Sequence, residues 1–200
     1  MDRVENINIT DNIVTALFRT HDVAEINLFK RAIMSEIETY AIDIVVFHTN
    51  TSPRHDEIIA LRLGQLVIDN SQFTPPPNDD YKFRIDISGP NDDTPLTITT
   101  NNIPSLPFKY ETPFVTLRKG QRIVCDCIVK KGQGKTHVKW RPISSFTFTE
   151  VDEGFQIKFK EIGMLSGHEI IRQGLLKMSD AAQRPPQTLF SHTLIPHNMQ

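Results

Sequence analysis

The 200 residues, 38% hydrophobic and 23% charged, are enough to bury one good core, or one core plus an inserted subdomain. A formal net charge of −2 gives no broad electrostatic reason to hold a polyanion, which argues against non-specific nucleic-acid binding. No apolar run reaches membrane-spanning length, and the first residues lack a signal peptide's charged start and apolar core, so an intracellular protein is expected, in nucleus or cytoplasm.

The chain opens with alternating residues from Val4 to Thr10 and a second run from Ile13 to Phe18, which predict a β-hairpin turning at Asp11-Asn12. Ile26, Phe29, Ile33 and Ile37 then recur at steps of three and four, the stripe of an amphipathic helix, with Lys30, Arg31, Glu36 and Glu38 around it. Asp22 suits the N-cap, with Glu25 three residues on completing a capping box. Ala41 to Phe47 is short and β-branched, hence a strand. Asp56 and Glu57 begin a second helix through Ile58, Ile59, Leu61, Leu63 and Leu66; acids at its start suit the helix dipole, and Gly64 marks its end.

From Asn70 to Lys109, Pro75-Pro76-Pro77 and Pro90-Asn91-Asp92-Asp93 punctuate short strands such as Tyr81 to Ile87 and Pro95 to Thr99, the spacing of an all-β insertion. Asp79, Asp80, Asp92 and Asp93 sit beside prolines and asparagines as solvated turn residues, not metal ligands. Cys125 and Cys127 point to one face of a strand, as small buried filler. Gly134-Lys135-Thr136 copies the end of a phosphate-binding loop, but Val129 stands where the first glycine should be and Pro142 interrupts any following helix. A nucleotide-binding enzyme built on that loop is the alternative reading, and a free-standing interaction module is a third. Ile143 to Thr149 and Phe155 to Phe159 are further strands. Ser166 and Glu169 start a last helix, lined by Ile171, Leu175 and Met178 and ending near Asp180 ahead of Pro185-Pro186. The tail 181–200 has no regular pattern; disorder and folding on a neighbour both stay open.

Three strings resemble the alpha-type RNA polymerase subunits, the family of the bacterial alpha amino-terminal domain, its archaeal D-type counterpart and the third-largest subunit of eukaryotic RNA polymerase II. KRAIMSEIETYAIDIV is similar to the family's first helix and following strand, usually SEIPTLAID, with Glu38 in place of the proline. NTSPRHDEIIALRLGQLVI matches the family's second helix, with Leu61 where a histidine is usual. KKGQGKTHVKW resembles its lysine-rich loop through Lys130, Lys131, Gly132, Lys135, His137, Lys139 and Trp140. The lack of a zinc loop and the short last helix resemble the reduced subunits of large DNA viruses of eukaryotes.

The resemblance implies an α+β fold: a discontinuous two-layer dimerisation domain over 1–48 and 144–180, of antiparallel sheet plus helices, with an inserted mostly β subdomain over 49–143. It implies a non-catalytic assembly subunit that pairs with a smaller alpha-like subunit and docks the two large catalytic subunits. The pairing seam is expected along Ile26, Phe29, Lys30, Arg31, Ile33, Met34 and Ile37, joined by Ile171, Leu175 and Met178. The second-largest subunit would meet Asp56, Glu57, Arg62, Lys130, Lys131, Lys135, His137, Lys139 and Trp140, with Trp140 as anchor; read from the residues alone, Trp140 as a core residue and the lysines as a solvated rim stay open. Eukaryotic relatives often carry a four-cysteine zinc loop; here Ser71 to Asn78 stand in that place, so no metal or other cofactor is expected.

Overall fold

The computed structural model describes residues 3–76 and 80–183. Strands β1 (Val4–Thr10) and β2 (Ile13–Phe18) form the opening hairpin. Its turn residues Asp11 and Asn12 both take positive φ, 51° and 64°, the left-handed pair that matches a two-residue turn to the twist of its strands. Helix α1 (Val23–Arg31) follows, capped by the Asp22 carboxylate, which accepts from the Ala24 N–H at 2.7 Å. Only half of the expected capping box forms, because Glu25 reaches the Arg3 guanidinium at 2.9 Å instead. The helix widens into a π-helical turn, Ala32–Glu36, before entering the long strand β3 (Glu38–Asn50).

Helix α2 (Asp56–Gly64) comes next, then β4 (Tyr81–Ser88), β5 (Leu96–Thr99), β6 (Pro113–Leu117) and β7 (Arg122–Gln133). Strands β8 (Ile143–Val151) and β9 (Gly154–Glu161) lead to helix α3 (Gly167–Gln183), three residues longer than its sequence suggested. Ser166 Oγ accepts from the Glu169 N–H at 3.3 Å, the cap read from the sequence. Pro77, Asn78, Asp79 and the tail beyond 183 lie outside the described residues.

Every strand pairing is antiparallel, which makes the fold α+β. One sheet runs β1-β2-β9-β8, a second β3-β7-β4, and β5 pairs β6 separately. Two cores result. The first lies between the four-stranded sheet and helices α1 and α3, and holds Phe18, Phe29, Ile33, Phe155, Phe159 and Met178. The second lies under the three-stranded sheet and holds Ile59 and Leu63 of α2 with Phe83, Cys125 and Cys127. Each large side chain fully removed from water there contributes about 1.5–3 kcal/mol before entropy is charged against it.

β3 is grouped with the first helix by the sequence, yet it hydrogen-bonds β7 from Glu38 to Asn50 and buries Ile42 in the second core. Its alternation decides this, since Val45 and Phe47 lie opposite Cys127 and Cys125 on the inner face. The two thiols, both fully buried, are 4.0 Å apart and free. Among the described residues, no three His, Cys, Asp or Glu side chains gather where they could hold a metal ion.

Candidate functional site

The expected pairing stripe turns inward. Ile26, Phe29, Ile33 and Ile37 are each 0% exposed within the single chain. The four-stranded sheet covers one side of the stripe, where Phe29 meets Phe18 at a ring separation of 5.1 Å. Helix α3 covers the other, and a glycine makes that possible. A Cβ on Gly174 would lie 2.3 Å from Ile33 Cγ2 and 2.9 Å from Phe29 Cε2, so only glycine lets the two helices approach this closely. Ile171 and Met178 are buried with the stripe, and Leu175 is half-buried beside Val4 and Ile7. Within the single chain these apolar residues belong to its own core. Of the expected set, Arg31 is exposed, while Lys30 and Met34 are half-buried. Leu176, outside the expected set, is 52% exposed on α3. Its signal was an apolar residue off the helical face set by Ile171, Leu175 and Met178.

The lysine-rich loop is also turned toward its own chain. Lys130, Lys131, Lys135 and Lys139 pair with Asp80 at 3.7 Å, Glu38 at 2.8 Å, Glu36 at 3.0 Å and Asp43 at 2.5 Å. The Lys131 ammonium holds the Glu38 carboxyl below its ordinary value, and Glu38 in turn raises Lys131. Trp140 is 6% exposed and donates from Nε1 to the Lys130 carbonyl at 3.2 Å. Its ring lies flat on Gly132, where an added Cβ would come within 2.3 Å, and Lys139 sits 4.5 Å over the ring. The buried Thr39 hydroxyl donates to the Trp140 carbonyl at 2.8 Å. His137 is exposed, and its Nδ1 accepts from the Lys139 N–H at 3.1 Å. Trp140 is thus an internal strut, not a projecting anchor. Within the single chain the lysines' carboxylate partners are intramolecular, and Lys131 and Lys135 keep about half of their side-chain surface exposed.

The phosphate-loop alternative fails on the same geometry. The amides of Lys135, Thr136 and His137 already donate to the carbonyls of Ser35, Gln133 and Gln133, so no row of free N–H groups remains for a phosphate. Only a short 3-10 turn, Val138–Trp140, follows.

Among the apolar side chains that stay outside are those on one face of α2 and on its neighbour. Ile58 and Leu61 are 39% and 57% exposed, while Ile59 and Leu63 of the same helix are fully buried. Val138, 58% exposed, lies on the 3-10 turn whose Lys139 contacts the position of Gly64 at the end of α2. Asp56 and Glu57 are exposed at the helix start, where Asn50 Nδ2 donates to Asp56 at 2.6 Å. Arg62 is half-buried and donates to the Phe114 carbonyl at 2.9 Å, tying α2 to β6.

An α+β chain with antiparallel sheets of four, three and two strands, a helical layer drawn from both ends of the described sequence, and three motif strings is the class these observations define. No protein-family model matches the chain. It is 31% identical over 154 residues to DNA-directed RNA polymerase subunit Rpo3 of Pyrococcus horikoshii, covering 74% of this chain and 59% of that protein. Rpo3 of Methanocaldococcus jannaschii is 29% identical over 161 residues, covering 78% and 80%. DNA-directed RNA polymerase II subunit RPB3 of Schizosaccharomyces pombe is 31% identical over 169 residues, covering 70% and 57%. The chain belongs to the alpha/D-type family of RNA polymerase subunits. It spans a little under three-fifths of the length of two of the three relatives compared and four-fifths of the other.

Proposed function

We propose that this chain is a non-catalytic assembly subunit of a multisubunit DNA-directed RNA polymerase, acting inside the cell. One observation carries the reading: the similarity to polymerase subunits extends over 70–78% of this chain in archaeal and eukaryotic relatives alike.

The second-largest polymerase subunit would dock on Ile58, Leu61 and Val138, rimmed by Asp56, Glu57 and His137. An exposed apolar centre with a charged rim is the form such interfaces take. A smaller alpha-like subunit would cover the outer flank of the helical layer, at Arg31, Met34, Leu175 and Leu176, and leave the buried stripe untouched. The division of the chain follows: a helical domain of about 3–37 and 143–183 by residue number, and an inserted β subdomain between, with the boundary at Ile37 in place of 48. The test is purification from the native source at moderate salt. Co-elution with the two large polymerase subunits is expected, and Leu61→Asp combined with Val138→Asp should abolish it while the circular dichroism spectrum is kept. A chain that elutes alone, or a double variant that still co-elutes, overturns the reading or the surface respectively.

A further inference from the structure

The π-helical turn Ala32–Glu36 is held from two sides at once. From one side come residues 133–135. Gln133 Nε2 donates to the Glu36 carbonyl at 3.1 Å, the Lys135 N–H donates to the Ser35 carbonyl at 3.2 Å, and the Lys135 ammonium pairs with the Glu36 carboxylate at 3.0 Å. Gly134 lies so near that an added Cβ would be 2.1 Å from the Met34 carbonyl oxygen. From the other side, Ile33 of the same turn enters the gap left by Gly174 in α3. A π-turn leaves its final carbonyls out of the ordinary helical ladder, and those groups must find donors elsewhere. Here the donors come from the loop that runs on into the turn Val138–Trp140, which carries the exposed Val138.

We propose that this clamp is a coupling device: it joins the helical layer to the α2 and Val138 face through the π-turn, so that ordering either surface orders the other. The proposal rests on the reading that both surfaces dock partners. A partner seated on α2 and Val138 fixes the loop, the loop fixes the carbonyls of the π-turn, and the turn fixes Ile33 against α3. A second partner then meets a helical layer whose ordering cost is already met, which is positive cooperativity without a new contact.

Native-state hydrogen exchange on the full chain tests the coupling without any partner. Gly134→Ala is expected to speed amide exchange at least tenfold in the π-turn and also in the middle of α3, while the β4-β7 ladder keeps its protection. Gln133→Ala with Lys135→Ala, which removes side-chain bonds only, should do the same to a smaller degree and serves if Gly134→Ala does not fold. Faster exchange confined to residues 133–137, with α3 unchanged, overturns the proposal. Co-elution with the polymerase is scored separately. Its loss in the unaltered chain sinks the assembly reading, whereas retained co-elution with uncoupled exchange sinks only the clamp.

Discussion

Helices α1 and α2 dispose of their apolar residues in different ways. α1 and the π-turn that continues it have the clean spacing of Ile26, Phe29 and Ile33, and that whole stripe is enclosed by the chain's own sheet and by α3. α2 is apolar nearly all round, buries Ile59 and Leu63, and leaves Ile58 and Leu61 in water. A regular stripe is what one core requires. A helix with more apolar residues than one core can cover has the surplus that a partner can take.

The most damaging change tests the first half of that contrast. Ile33→Asp places a charge with no partner between Phe29 and Gly174, and should cost on the order of 4–5 kcal/mol or prevent folding. Urea denaturation followed by circular dichroism measures it, and a normally stable variant that loses only its partner would restore the stripe as a seam. Trp140→Ala comes next, at about 3–5 kcal/mol, because the indole fills the space over Gly132. A loss under about 1 kcal/mol in the same experiment would return Trp140 to the surface.

Lys139→Ala strands a half-buried Asp43 and a carbonyl at Ile42, for about 1–3 kcal/mol. A double-mutant cycle with Asp43→Asn should show coupling between the two; additivity would mean that the pair contributes nothing to the lock.

A pH effect at the start of α3 is smaller. Glu169, bonded to Arg172 and Gln173, is held down to about 2 from an ordinary 4.5. A depressed carboxyl contributes stability above its unfolded value, and that stability drains away as the pH falls from 4.5 through about 2. Glu161, raised by burial, has the opposite sign and contributes only at the acid side. Thermal melts from pH 6 to 2 should therefore flatten in Glu169→Gln, and Glu161→Gln should melt higher than the unaltered chain at pH 7. The smallest stability change belongs to Leu61→Ser and Val138→Ser, within about 0.5 kcal/mol, since both side chains are already wet. A large loss of stability in either would make the α2 face a core and remove the docking surface.

Much was legible before any coordinates. The hairpin turn at Asp11-Asn12, the helix starts at Asp22 and Ser166, the end of α2 at Gly64 and most strands follow from rules acting within a few residues, and these hold. Less was legible about which way a motif string faces. Lys135 and Trp140 read as partner contacts because nothing local shows that Glu36 and Thr39, about a hundred positions away, supply their bonds. Gly174 carried the missing signal, since a glycine inside an otherwise regular helix marks a close crossing.

Local sequence was enough for the α+β character, the positions of the helices and most of the strands, and the kinship with polymerase subunits, because periodicity, caps and motif spelling are properties of neighbouring residues. Long-range packing was needed to put β3 in the second core, to cover the stripe of α1 from both sides, and to close the lysine loop on the π-turn. Those outcomes depend on which distant segments approach, and burial is settled only when two surfaces meet.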